Sequence, residues 1–229
     1  MVRVITVDGP SGAGKGTISR ILAKKLGFHY LDSGALYRIL GIAAQRHRVD
    51  TSNNKGLMTL AEHMDIRFDS TETGGIKALL EGEDITQEMR TEDAGALASL
   101  VASHPQVRSA LLKRQRMFAT EPGLIADGRD MGTVVFPNAV LKIYLTATTE
   151  ERAQRRYKEL LAKGEDVNLR GLLDQVRLRD ERDMSRDASP LIPAIDAIEL
   201  DTSGQSIEEV ADSVLNLVVF KGLFNSSVK

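Results

Sequence analysis

Gly9-Pro10-Ser11-Gly12-Ala13-Gly14-Lys15-Gly16-Thr17 satisfies the spacing G-x-x-x-x-G-K. It lies between a run that reads as a buried strand, Val2 to Val7, and one that reads as a helix, Ile18 to Leu26. That pattern is suited to holding a polyphosphate. Glycines let the backbone curl so that successive N–H groups point inward, the positive end of the following helix adds attraction, and Lys15 brings a mobile cation to the outer phosphates. One position departs from the usual form. The Ser or Thr that follows the lysine as an Mg²⁺ ligand is replaced by Gly16, with Thr17 one residue later. Thr17 is expected to reach the metal differently or through water. The departure favours enzymes that phosphorylate small molecules over switch-type or motor-type nucleotide hydrolases.

Leu124-Ile125-Ala126 is a second apolar run, and it ends on Asp127. This carboxylate reads either as the acid that holds a metal's water shell or as the cap of the turn at Gly128. His29, His47, His63 and His104 show no ligand spacing, and the chain has no cysteine. Disulfides and thiolate metal sites are therefore excluded, and the histidines read as structural or surface residues. A guanine-specific switch needs Asn-Lys-x-Asp, whereas Asn54-Lys55-Gly56-Leu57 ends on leucine.

These groups need a scaffold. The chain has 229 residues, 42% of them apolar, and a formal charge of −2 from 30 basic and 32 acidic residues. So balanced a charge gives no bulk field for nucleic acid. Its longest apolar stretches, such as Leu217-Val218-Val219-Phe220, fall far below the roughly 20 residues that cross a bilayer, so a cytoplasmic protein is expected, and with no heptad seam or long apolar stripe evident, a monomer. Further strands are read at Phe28–Leu31, at 124–126, at 141–145 and at 197–200, with helical patterns between them. The alternation predicts a parallel five-stranded sheet with helices on both faces, in one domain spanning 1–229. Asn53-Asn54, Gly74-Gly75 and Gly82 break that rhythm, so 48–105 reads as an inserted subdomain carrying a small antiparallel element. Thr148-x-x-Glu151 and Ser206-x-x-Glu209 read as capping boxes. Ile207, Val210, Val214 and Leu217 fall on one face of the last helix, and the polar tail 222–229 reads as frayed.

Taken together, Gly9 to Thr17, Leu31-Asp32-Ser33-Gly34-Ala35-Leu36-Tyr37-Arg38, Ile125-Ala126-Asp127-Gly128-Arg129-Asp130-Met131-Gly132 and Arg179-Asp180-Glu181-Arg182-Asp183 resemble the bacterial cytidylate kinase family. These are CMP/dCMP kinases among the P-loop nucleoside monophosphate kinases, and the likeness runs from Val4 to about Val219. The resemblance implies transfer of the γ-phosphoryl group of ATP, with Mg²⁺, to CMP or dCMP in pyrimidine nucleotide metabolism. It implies an NMP-binding role for 48–105 and a lid at 151–167.

Asp130 and Arg108, with Ser99, are implied as readers of the cytosine edge, and Arg38 and Arg129 as the clamp on the CMP phosphate. Ser33 and Tyr37 are placed beside that pocket. Arg179 and Asp183 are placed at the ribose, with Arg186 near the phosphates. On residue types alone, these last three fall at i, i+4 and i+7 on one helix face and read equally as a surface ion-pair ladder. Arg155, then Arg152, is expected on the donor side, and Thr202-Ser203 beside the adenine. The metal is assigned to Asp127 and Thr17, and the catalytic cations to Lys15, Arg129, Arg155 and Arg186. A kinase for UMP or another small acceptor would keep Gly9 to Thr17 and change the base readers. A binder without turnover remains a further alternative.

Overall fold

Val4-Ile5-Thr6-Val7 is an unbroken β-branched run, stiff at χ1 and at ease in an extended, fully buried strand. In the computed structural model, which describes residues 2–70 and 76–223, it forms β1 (Val4–Asp8), buried along its whole length. The chain continues through α1 (Lys15–Leu26), β2 (His29–Asp32), α2 (Ser33–Arg46) and α3 (Asn54–His63). Next come β3 (Ile66–Ser70), β4 (Ile76–Leu80), β5 (Glu83–Asp84), α4 (Glu92–Val101) and α5 (Pro105–Arg116). The last third holds β6 (Leu124–Gly128), β7 (Leu141–Thr146), α6 (Thr149–Ala162), α7 (Leu169–Ser185), β8 (Ile198–Asp201) and α8 (Ile207–Phe220). Gly74-Gly75 and residues 224–229 lie outside the described residues.

Two compact units are formed. The first joins Met1–Asp32 to Arg116–Lys229. Its sheet is all parallel in the order β2-β6-β1-β7-β8, the predicted five-stranded P-loop core with helices around it. Ile5, Val7, Ile125, Ile143 and Leu145 pack from the sheet against Ile18 and Leu22 of α1 and Val210, Val214 and Val218 of α8. The face of α8 differs in part from its expected composition. Ala211 and Val218 complete the buried stripe, while Ile207, in the helix's first turn, is exposed. Ser206 and Glu209 close a reciprocal capping box. Thr148 makes only half of one, because the Glu151 carboxylate turns to Gly204 N and to Arg155.

The second unit is Ser33–Gln115, which encloses 48–105. Here β3, β4 and β5 form the antiparallel element, with Ile66 opposite Leu80 and Leu80 opposite Glu83. The stretch before it is helical instead: the Asn53 side chain accepts the Gly56 N–H and caps α3. α2 packs on α4 and α3. Val107, Leu111 and Gln115 make the buried stripe of α5. Among the described residues, no helix is long and apolar enough to cross a membrane.

Candidate active site

The parallel register brings the carboxyl ends of β1, β6 and β2 together, with Asp8 opposite Gly128 and Asp32 opposite Asp127. Crevices at such strand ends are where open α/β sheets hold ligands. The phosphate loop leaves β1 at Gly9, whose φ is 142° and where a Cβ would stand 2.0 Å from the Leu145 carbonyl oxygen. Only glycine passes there. Gly14 then opens α1, and its carbonyl accepts the N–H groups of Thr17 and Ile18.

Lys15 is buried, and its Nζ donates to the Pro10 carbonyl across the loop at 2.8 Å. Burial, helped by the charges of Arg129 and Arg179, holds its ammonium well below the ordinary lysine range, against the pull of Asp127 and Asp8. Asp127 is buried at the end of β6 and accepts a hydrogen bond from Tyr30 Oη at 3.2 Å. Burial, with Asp32 beside it, raises its carboxyl above the usual range, while Lys15 and Arg129 oppose the rise. A Cβ at Gly16 would lie 3.3 Å from Asp127 Oδ2, so the glycine lets the first turn of α1 press close to this acid. Thr17 follows on the same turn, with Arg20 Nη2 3.5 Å from its hydroxyl.

Beyond Asp127 the chain runs through Gly128 to Arg129 and Asp130. Arg129 Nε donates to Asp183 Oδ2 at 3.0 Å, and Arg186 Nη1 is 3.8 Å from Asp183 Oδ1. Burial alone would raise the Asp183 carboxyl, but Arg129, Arg179 and Arg186 together hold it below its ordinary value. Arg129 is likewise held above its own by Asp183. Three guanidinium groups thus gather on one buried carboxylate, a net positive cluster suited to phosphate. The expected single helix face is corrected here: α7 ends at Ser185, so Arg186 stands outside it in extended backbone, where Nε donates to the Ser189 carbonyl. Asp130 is buried, and the next two N–H groups, of Met131 and Gly132, donate to Asp8 Oδ1 and Oδ2, each at 2.8 Å. Burial pushes the Asp8 carboxyl up to about 7 against the pull of these donors.

On α6, Arg152 bonds through all five of its N–H groups: two to Asp180, and one each to the Ser11 carbonyl, the Ala147 carbonyl and Thr149 Oγ1. It grips the phosphate loop from behind. Arg155 donates to Thr202 Oγ1 at 3.0 Å and to the Thr202 carbonyl at 2.6 Å, and reaches the Gly12 carbonyl at 3.5 Å. Thr202 is itself buried, and its hydroxyl lies 3.4 Å from the Ala13 carbonyl. Ser203 Oγ accepts the Thr148 N–H.

In the second unit, Ser33, Tyr37 and Arg38 lie on the first turns of α2. Ser33 Oγ donates to Gln115 Oε1 at 2.8 Å, and the Arg108 guanidinium stands 5.4 Å from the centre of the Tyr37 ring. Arg108 Nη1 also donates to the Ala102 carbonyl, and Arg38 Nη1 to the carbonyls of Met89 and Thr91. Ser99 is buried on α4. Sequence reasoning missed Asp8, Tyr30, Asp180 and Gln115. Asp8 carried a readable signal, since it ends a buried apolar run as Asp127 does.

Comparison with known proteins bears on the whole chain. The family profile described as cytidylate kinase matches residues 5–219. A cytidylate kinase of Pseudomonas savastanoi pv. phaseolicola is 57% identical over 221 residues, 96% of each chain. Those of Stutzerimonas stutzeri and Colwellia psychrerythraea are similar at 57%, over 97% of each chain, and at 55%, over 93% of this chain and 94% of that one.

Proposed function

The chain belongs to the cytidylate kinase family, and from that premise we propose that it transfers the γ-phosphoryl group of ATP to CMP or dCMP, giving ADP and CDP or dCDP. The observation that carries this reading is the presence in one unit of two charged groupings: buried Lys15 and Asp127 at the glycine loop, and three guanidinium groups acting on Asp183. The first grouping suits a triphosphate donor. The other suits a second phosphate.

Gly9 to Thr17 hold the donor, with Lys15 on its outer phosphates, Arg155 beside it and Thr202-Ser203 next to the adenine. Arg38 and Arg129 grip the acceptor phosphate, Ser33 and Tyr37 flank it, and Arg186 lies near the transferring group. Arg179 and Asp183 take the ribose. Asp130 accepts from the exocyclic amine of cytosine, while Arg108 and Ser99 serve its ring acceptors. Uracil would turn a carbonyl toward Asp130, a mismatch that can cost up to ~10⁴-fold. The attacking oxygen of CMP is already anionic, so the side chains need not act as a strong base. Catalysis is alignment, with neutralisation by Lys15 and the arginines as charge spreads over the phosphoryl oxygens.

The residues also suit Mg²⁺. Asp127 and Thr17 offer hard oxygen donors beside Lys15. Among the described residues no cluster of three or more metal-binding side chains forms, as befits an ion held by one or two carboxylates plus substrate phosphates. When bound, it would supply positive charge that offsets the charge of the substrate phosphates. A cytoplasmic monomer completes the reading.

The test is a coupled ADP-release assay with CMP, dCMP, UMP and AMP at equal concentration, run on the wild type and on Lys15→Met. CMP and dCMP should be preferred, and the variant should fold without turning over. Preference for UMP or AMP would refute the base-reading assignment.

A further inference from the structure

Asp8 is the last residue of β1 and immediately precedes the phosphate loop, yet both its carboxylate oxygens are engaged elsewhere. They accept the N–H groups of Met131 and Gly132, at the exit of the neighbouring strand β6. These two amides open a π-helical turn, Met131–Val135, and follow directly on Arg129 and Asp130. Asp130 has φ −142° and ψ 25°, neither strand nor helix. The backbone on either side of it is anchored, by the sheet pairing at Gly128 before it and by the Asp8 carboxylate just after it, while its own carbonyl accepts the Val134 and Val135 N–H groups. The turn is pressed hard onto β1: a Cβ at Gly132 would lie 2.9 Å from Thr6 Oγ1 and 3.3 Å from Asp8 Oδ2. Two acceptors on one short side chain are what a carboxylate supplies. Asparagine has nearly the same shape but keeps one acceptor and sets an NH₂ against the second N–H.

We infer that Asp8 is a positioning residue for acceptor recognition: through the Met131 and Gly132 amides it aims the Arg129-Asp130 pair at the base and phosphate of the cytidine nucleotide. The inference rests on the CMP kinase reading above. It also carries a sign that simple electrostatics does not share. Removing a negative charge near two anionic ligands should tighten both, by charge alone. Loss of aim should weaken CMP only.

The experiment, run at about pH 8.5 where the Asp8 carboxyl is ionised, compares wild type, Asp8→Asn and Asp8→Glu by calorimetric titration with CMP alone and with ATP alone, and by KM with each varied in turn. In Asp8→Asn the CMP constants should rise about tenfold or more, since one charge-assisted hydrogen bond is lost and an N–H is left buried without a partner. ATP affinity should stay within about twofold or tighten, because its cradle keeps every group. Asp8→Glu keeps both acceptors on a longer stem and should recover part of the CMP affinity. Unchanged or tighter CMP binding, or equal weakening of both ligands, would overturn the inference. Where Asp8→Asn does not fold, hydrogen exchange in the wild type decides: Met131 and Gly132 amides exchanging as fast as an open loop would overturn it too. A wild type inert toward CMP removes the kinase reading itself, whereas an active wild type with an indifferent Asp8→Asn removes this inference alone.

Discussion

Asp180→Ala isolates the buried ion pair behind the phosphate loop. In the wild type, the Arg152 and Asp180 side chains are only 4% and 12% exposed, and Asp180 takes two of the five guanidinium bonds. The variant leaves a buried cation with two N–H groups unmatched, for which the expected cost is about 3–5 kcal/mol. The gain in helix propensity from alanine within α7 offsets well under ~1 kcal/mol of that. Urea denaturation with an unchanged m-value measures it. The double variant Arg152→Met/Asp180→Leu removes both charges, so it should regain about 1–3 kcal/mol over the single variant. It should bind ATP less tightly, however, because the Ser11 carbonyl has lost its tether. A single variant within about 1 kcal/mol of the wild type, or a double variant no more stable than the single, would refute the argument that burial makes the unpaired guanidinium costly.

Two further outcomes follow from packing and charge. Gly41→Ala should destabilise the second unit by about 1–3 kcal/mol, since its Cβ would stand 2.7 Å from Leu97 Cβ where α2 meets α4; thermal melts check it, and a neutral result would mean the two helices part without cost. Asp183, held below its ordinary value, contributes stability above the unfolded carboxylate range near pH 4 and loses it as pH falls through its folded value. The melting temperature of the wild type should therefore fall below about pH 4 more steeply than that of Asp183→Asn. Parallel slopes would contradict the three-arginine account of that site.

What is legible in the sequence is whatever is local along the chain. The β-branched run of β1 and the glycine spacing after it announce themselves, because strand, loop and helix start are contiguous. α3 was hidden by Asn53-Asn54 and Gly56, which look like a loop until Asn53 serves as the cap. α5 was hidden by its charge: Arg108 and Gln115 are buried, so a polar stretch conceals an inward face. The same limit governs the candidate site. Asp8 meets amides 123 and 124 residues away, and Tyr30 meets Asp127 across 97, distances that no periodicity reports. In α6 and α7, the arginines look alike on paper. Tertiary contact alone picks out Arg152, whose five N–H groups are all engaged behind the loop.

The placing of β1 in the middle of its sheet, with β6 on one flank and β7 on the other, has a bearing on how the molecule comes apart. Sheets erode from their rims, where ladders are open on one side. The rims here are β2 and β8, and β8 carries two exposed residues in its four. The turn that springs from β1 should thus outlast both borders as heat or denaturant rises. A half-melted chain could still clasp a nucleotide's phosphates after losing the power to choose or phosphorylate a partner.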